Sequence, residues 1–180
     1  AKTVMVGHIA QPAYVKAINP NATRKEMLRP ASLSPELLTG LLRGKLGFNG
    51  LISTDATPMV GFTAAMKRCE AIPQAIAAGC DMILFNKSLE EDYGYLLTAV
   101  KEGKVSEERL DEAVLRILAT KASLHLHEKK RTKTLVPGEE AIKIVGCQTH
   151  KTWAKEVADQ AITLVRDNQN LLPISPKKYK

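Results

Sequence analysis

At 180 residues, 44% hydrophobic and 25% charged, the chain has the proportions of a globular protein with room for one domain, or one domain and part of another. The apolar run of roughly 18 residues that a membrane-spanning helix needs is missing, and aromatics make up only 4%, so packing rests on aliphatic side chains. The net charge of +7 gathers at Lys129, Lys130, Arg131 and Lys133 and at Lys177, Lys178 and Lys180. No aromatic or Gly-rich motif interleaves with those clusters, so they read as a solvated linker and tail rather than a nucleic-acid surface.

Three short apolar runs predict buried strands: Val4 to Gly7, Leu51 to Thr54, and Asp81 to Phe85. None alternates with polar residues, which is the pattern of parallel strands covered on both faces. Helices separate and follow them. Ser34 predicts an N-cap with Pro35 at the first helical position and Glu36 beside the positive helix end. Leu37, Leu38, Leu41 and Leu42 then form one apolar face that Leu46 continues, and Gly47 ends the helix as a left-handed cap. A second helix runs from Glu70 to Ala78, with Pro73 in its first turn and Gly79 after it. A third spans Glu90 to Glu102 and ends at Gly103. Ser106 caps a fourth, whose face is Leu110, Ala113, Val114, Ile117 and Leu118. The repeating β-α order predicts a parallel α/β sheet, a pattern shared by open doubly wound sheets and closed (β/α)8 barrels.

After Leu126 the character changes. His127 to Thr134 is polar and basic and Pro137-Gly138 is a turn signal, and residues 127–150 read as a linker. A helix is expected from Lys151 to Leu164, with Trp153, Val157, Ala161 and Leu164 on one face. Residues 151–180 read as a bridging helix or the beginning of a second domain, and 1–126 as the first. The start, Ala1 to Val6, has no basic-then-apolar signal pattern and leads straight into a strand, as expected of a chain that begins inside a longer protein.

In a parallel α/β protein, functional groups collect at the carboxyl ends of the strands. His8 follows the first strand, Asp55 the second, and Asn86 and Lys87 the third. No Gly-rich phosphate loop occurs, so no nucleotide cofactor is expected. Cys69, Cys80 and Cys147 form no C-x-x-C and have no His at ligand spacing, so neither a structural metal nor a disulfide framework is expected. Free thiols fit a reducing compartment, which favours the cytoplasm. Asp55 is the candidate with chemistry. A carboxylate on a rigid strand end can attack an anomeric carbon, although position alone favours a residue that merely caps the following loop.

The segment Leu46 to Met59 (L-G-F-N-G-L-I-S-T-D-A-T-P-M) resembles the nucleophile region of glycoside hydrolase family 3, which reads L-G-F-x-G, an apolar strand, then [ST]-D. Arg29 to Pro35 is similar to the family's P-A-S-L-S segment, and Ala75 to Met82 to its A-x-x-A-G-x-D-[ML] element. Ala161 to Val165 with Leu171 to Ile174 resembles the bridge into a second domain. The likeness runs from about Val4 to Ile174 and looks closest to the β-N-acetylglucosaminidase branch.

The resemblance implies a partial (β/α)8 TIM-type barrel, with this chain supplying its last three β-α units. It implies a retaining exo-β-glycosidase acting on terminal β-linked N-acetylhexosamine or glucose, with Asp55 as the nucleophile. Met59 would line the sugar site, against the plainer reading of core filling. His8 falls near the pocket, where a satisfied structural histidine is the plainer reading. His125, His127 and His150 receive no catalytic role. The family's K-H-F-P-G segment with its Asp-His acid/base is absent, so the 180 residues alone are expected to be inactive. The partners implied are the carbohydrate substrate and either a complementary N-terminal barrel fragment or a second copy, with neither nucleic acid nor membrane. Two alternatives stay open, a glycosyl phosphorylase of the same family and a non-catalytic sugar-binding module.

Overall fold

In the computed structural model, which describes residues 1–175, three short strands form one parallel sheet. They are β1 (Thr3–Val6), β2 (Leu51–Ala56) and β3 (Met82–Leu84), in the order β1-β2-β3. Thr3 pairs with Leu51 and Val6 with Thr54, and on the other side Ser53 pairs with Met82 and Ala56 with Leu84. The second pairing shifts register between Ser53 and Ala56. There the Thr54 hydroxyl accepts the Leu84 N–H at 3.0 Å, so a side chain takes over a ladder position and the strands slip.

The helices are α1 (Pro12–Ile18), α2 (Arg24–Met27), a wide helix over Glu36–Lys45, α3 (Val60–Thr63), α4 (Arg68–Ala78), α5 (Leu89–Lys101) and α6 (Glu107–Ser123). Ala31–Leu33 adds a 3-10 turn, and α7 (Leu126–Arg131) follows α6. Ile52 on β2 is fully buried with Leu33, Leu38, Phe62, Ile72 and Ala75. That cluster lies between the sheet and α4, with Ile83 reaching it from β3. A second, smaller cluster joins Ile76, Ala99 and Val105, and so fixes α5 against α4. The parallel sheet and its alternating helices are consistent with part of a TIM-type barrel.

Several local expectations change. The wide helix is of the π type, as the Leu46 N–H bond to the Leu41 carbonyl five residues back shows. Its looser turn carries the apolar stripe off the core side, which leaves Leu46 exposed. Ser34 donates its hydroxyl to the Glu36 carboxylate at 2.6 Å instead of capping a helix N–H. Pro73 sits inside α4, beyond its first turn, because the helix starts at Arg68; the carbonyl it fails to meet belongs to Cys69, which is exposed. Ser106 caps α6 as expected by accepting the Arg109 N–H. The buried face of α6 differs, however. Val114 and Leu118 are exposed, while Arg109 and Arg116 turn inward to Asp81. The helices α1, α2 and α3 have no counterpart in the sequence reading.

Both outer strands leave an edge unpaired within the sheet. On the face away from α4, Met5 is 59% exposed. Along α5, Leu89, Tyr93 and Leu97 form an exposed stripe at i, i+4 and i+8. The chain divides into residues 1–128 and 129–180. The second unit, taken by itself, holds a 3-10 helix (Glu139–Ile144) and α8 (Gln148–Ala161), which begins and ends earlier than Lys151 to Leu164. In α8 Trp153 and Val157 are exposed. Further on, the Asp167 carboxylate accepts the N–H groups of Leu171 and Leu172, which holds it below the usual carboxylate range. The cluster Lys177, Lys178 and Lys180 lies outside the described residues.

Candidate active site

Asp55 lies within β2 rather than after it, because the strand runs on to Ala56. Its neighbours in the strand alternate. Ile52 and Thr54 are buried toward the helices, while Ser53 and Asp55 are only partly covered on the opposite face. A barrel turns that second face inward. The Asp55 carboxylate accepts the Ala56 N–H through Oδ1 at 2.7 Å. One oxygen is thus anchored to the backbone of a rigid strand. Such a carboxylate can act as a nucleophile or stabilise a developing cation.

The structure brings the other two predicted residues to the same place, at the Ala56 carbonyl. His8 reaches it through Nε2 at 3.1 Å, and the Met59 N–H donates to it at 3.1 Å. Since a carbonyl only accepts, Nε2 carries a proton, and Nδ1 shares a hydrogen bond of 2.7 Å with the Ser32 hydroxyl. The ring also lies against Phe62, with centroids 5.0 Å apart. Both His8 nitrogens are therefore occupied by protein partners. Met59 is 47% exposed and precedes α3, so its side chain does not fill the core.

Residues without a role in the sequence reading hold this arrangement. Ser32 is fully buried in the Ala31–Leu33 turn and orients His8. Thr54 and Thr57, both buried, flank Asp55 and tie β2 to β3. The Thr57 N–H donates to the Leu84 carbonyl at 3.2 Å, and its Oγ1 donates to the Phe85 carbonyl at 2.9 Å. A small hydroxyl residue two places after a strand-end aspartate was the available sign. The Ser32 segment was visible only as a motif.

Gly61 lets α3 approach the His8 backbone. A Cβ there would lie 2.8 Å from the His8 carbonyl oxygen and 3.0 Å from its Cβ. Gly61→Ala is expected to push α3 away from His8 and cost about 1–3 kcal/mol, read by urea unfolding. A variant as stable as the parent would show that this contact has slack.

The family model "Glycosyl hydrolase family 3 N terminal domain" matches residues 1–120. A "Beta-N-acetylglucosaminidase/beta-glucosidase" of Cellulomonas fimi is 47% identical over 178 residues, covering 99% of this chain and 31% of the relative. A "Beta-hexosaminidase A" of Pseudoalteromonas piscicida is 28% identical over 180 residues, with 95% and 29% covered. The solved structure "Beta-glucoside phosphorylase BglX bound to 2FGlc" superposes with a TM-score of 0.82 at 47% identity, covering 99% of this chain and 31% of that one. The chain spans about a third of the length of these relatives.

Proposed function

This chain belongs to glycosyl hydrolase family 3, and from that footing we propose that Asp55 is the catalytic nucleophile of a retaining exo-β-glycosidase for terminal N-acetylhexosamine or glucose. The observation that carries the reading is the placement of Asp55. Its carboxylate is anchored by the next N–H on the open face of β2, and His8 and Met59 both hold the Ala56 carbonyl beside it. In the proposed reaction Asp55 attacks the anomeric carbon as the aglycone oxygen departs with a proton from an acid. Water then attacks the same carbon, its proton passes to the conjugate base of that acid, and the Asp55 carboxylate leaves. His8 is assigned to positioning, because both its ring nitrogens are engaged. Met59 is assigned to the sugar site.

The acid is proposed to come from outside these residues. Asp81 and Asp92, the two buried carboxylates among the described residues, are each tied to arginine. We assign the chain the last three β-α units of a (β/α)8 barrel, residues 127–150 a linker, and 151–180 a bridging helix or the start of a second domain. The open strand edges and the α5 stripe would be covered by the complementary barrel part or by a second copy. The 180 residues alone are expected to release no chromophore from a 4-nitrophenyl N-acetyl-β-glucosaminide. Grafted in place of the matching segment of the Cellulomonas fimi relative, they are expected to support turnover. Turnover by the 180 residues alone would sink the idea of a missing acid, and a dead graft would count against the assignment to the barrel.

A second reading has a specific observation behind it, the likeness to a solved structure titled a phosphorylase. There phosphate, not water, would attack the glycosyl-Asp55 intermediate. Product analysis with and without phosphate separates the two. A sugar 1-phosphate that replaces free sugar would identify the phosphorylase.

A further inference from the structure

The carboxyl end of β3 carries an aromatic ring that belongs to neither core cluster. Leu84 pairs with Ala56, the residue after Asp55, so Phe85 begins level with the loop that leaves the Asp55 strand. Its φ is +48°, a left-handed conformation that is rare for a bulky side chain and costs about 1–2 kcal/mol. Its side chain is 69% exposed. By strand alternation Phe85 would join Ile83 in the helix-side core. The left-handed backbone breaks that alternation and leaves the ring in solvent. For folding alone, glycine would serve better here.

The strained position is nonetheless tightly built. Thr57 holds the Phe85 carbonyl with its hydroxyl and the Leu84 carbonyl with its N–H, and Thr54 accepts the Leu84 N–H. These are the two buried threonines that flank Asp55. On the other side Asn86 donates to Asp92 at 2.8 Å, Arg68 pairs with the same carboxylate, and Ser88 caps α5. The loop that bears Phe85 is thereby fixed to the strand that bears Asp55. Strain that persists under such restraint, beside a candidate reacting group, points to a functional use of the side chain.

We propose that Phe85 is a specificity-determining residue, an apolar wall at the rim of the Asp55 site that packs against the aglycone of a β-glycoside. The proposal rests on the reading of Asp55 as the nucleophile. In an exo-acting site the terminal sugar enters first, against Asp55, and the aglycone trails toward the mouth. Phe85 lies on that outward side, one residue past the end of β3. Apolar surface buried between the ring and an aryl or alkyl aglycone would favour binding, while a one-carbon aglycone offers almost no surface to bury.

The test compares 4-nitrophenyl and methyl β-glycosides of the same sugar, using the complete protein with Phe85→Ala, Phe85→Gly and Phe85→Tyr. The alanine and glycine variants are expected to lose about tenfold in kcat/KM on the aryl substrate, mostly through KM, and less than about twofold on the methyl one. The tyrosine variant should retain the parent values. Phe85→Gly, which relieves the backbone strain, should melt no lower than Phe85→Ala, so a loss confined to aryl substrate in both is not a folding defect. Equal losses on both substrates, or none on either, would overturn the proposal. Asp55→Asn run alongside keeps the two readings apart. If it is inactive while Phe85→Ala is indifferent to the aglycone, this inference alone fails. If it is fully active, the reading of Asp55 fails, and this inference with it.

Discussion

Asp55→Asn in the complete protein is expected to lower kcat on a 4-nitrophenyl N-acetyl-β-glucosaminide or β-glucoside by about a thousandfold or more. The substitution is close to isosteric. The amide oxygen still accepts the Ala56 N–H that Oδ1 accepts now, so the strand and the His8–Ala56–Met59 arrangement are retained and the melting temperature should not move. What is lost is the negative charge and the nucleophilic oxygen. A loss in kcat with little change in KM would mark a group that acts in the transition state rather than in ground-state binding. Asp55→Gly adds a chemical readout. With azide present and an activated aryl leaving group, azide attacks the anomeric carbon in place of the missing carboxylate, and the aryloxide departs. The product is a glycosyl azide of inverted configuration. Residual activity within tenfold of the parent in Asp55→Asn would sink the nucleophile assignment, and a complete parent protein that binds the sugar without turning it over would favour the sugar-binding-module reading.

How much of this site could be read from residues alone differs from part to part. The β-α order was legible because the strands are short apolar runs and glycines end the helices that follow them; Gly47, Gly79 and Gly103 all adopt positive φ. Asp55 was legible as the polar residue closing the second run. The role of His8 in holding the Ala56 carbonyl was not, because it depends on a contact 48 residues apart along the chain. The rotation of α6 was hidden for a similar reason. Its periodicity places Val114 and Leu118 on the apolar face, yet Arg109 and Arg116 win the inward position because a buried carboxylate awaits them. Periodicity weighs apolar surface and is blind to a distant counter-charge. The short helices α1 to α3 lie beyond such patterns because four to seven residues span too little of a helical repeat.

That buried carboxylate, Asp81, is where the largest loss of stability is expected. Its side chain is fully buried. Oδ2 accepts from Arg43 at 2.6 Å and from the Ile52 N–H at 2.9 Å. Oδ1 accepts from Arg109 at 2.6 Å and lies 3.4 Å from Arg116. One residue thus joins the π-type helix, β2 and α6 at the amino end of β3. Burial already holds the Arg43 guanidinium below its usual range, against the opposing pull of Asp81. Asp81→Ala would leave three arginines, each less than a quarter exposed, and one buried N–H without their carboxylate. Removal of one member of such a group costs about 3–5 kcal/mol, a large share of the roughly 5–15 kcal/mol that holds a typical domain together. Glu112 still reaches Arg109 and Arg116, but it is exposed and replaces little of the loss. Urea unfolding of Asp81→Ala, Arg43→Met and the double variant measures the coupling directly; a loss below about 1 kcal/mol in Asp81→Ala would refute the role. Since this cluster lies at the opposite end of the strands from Asp55, kcat per folded molecule should stay at the parent value even as stability falls. A matching fall in kcat would mean that the amino end of the sheet also sets the geometry of the catalytic end.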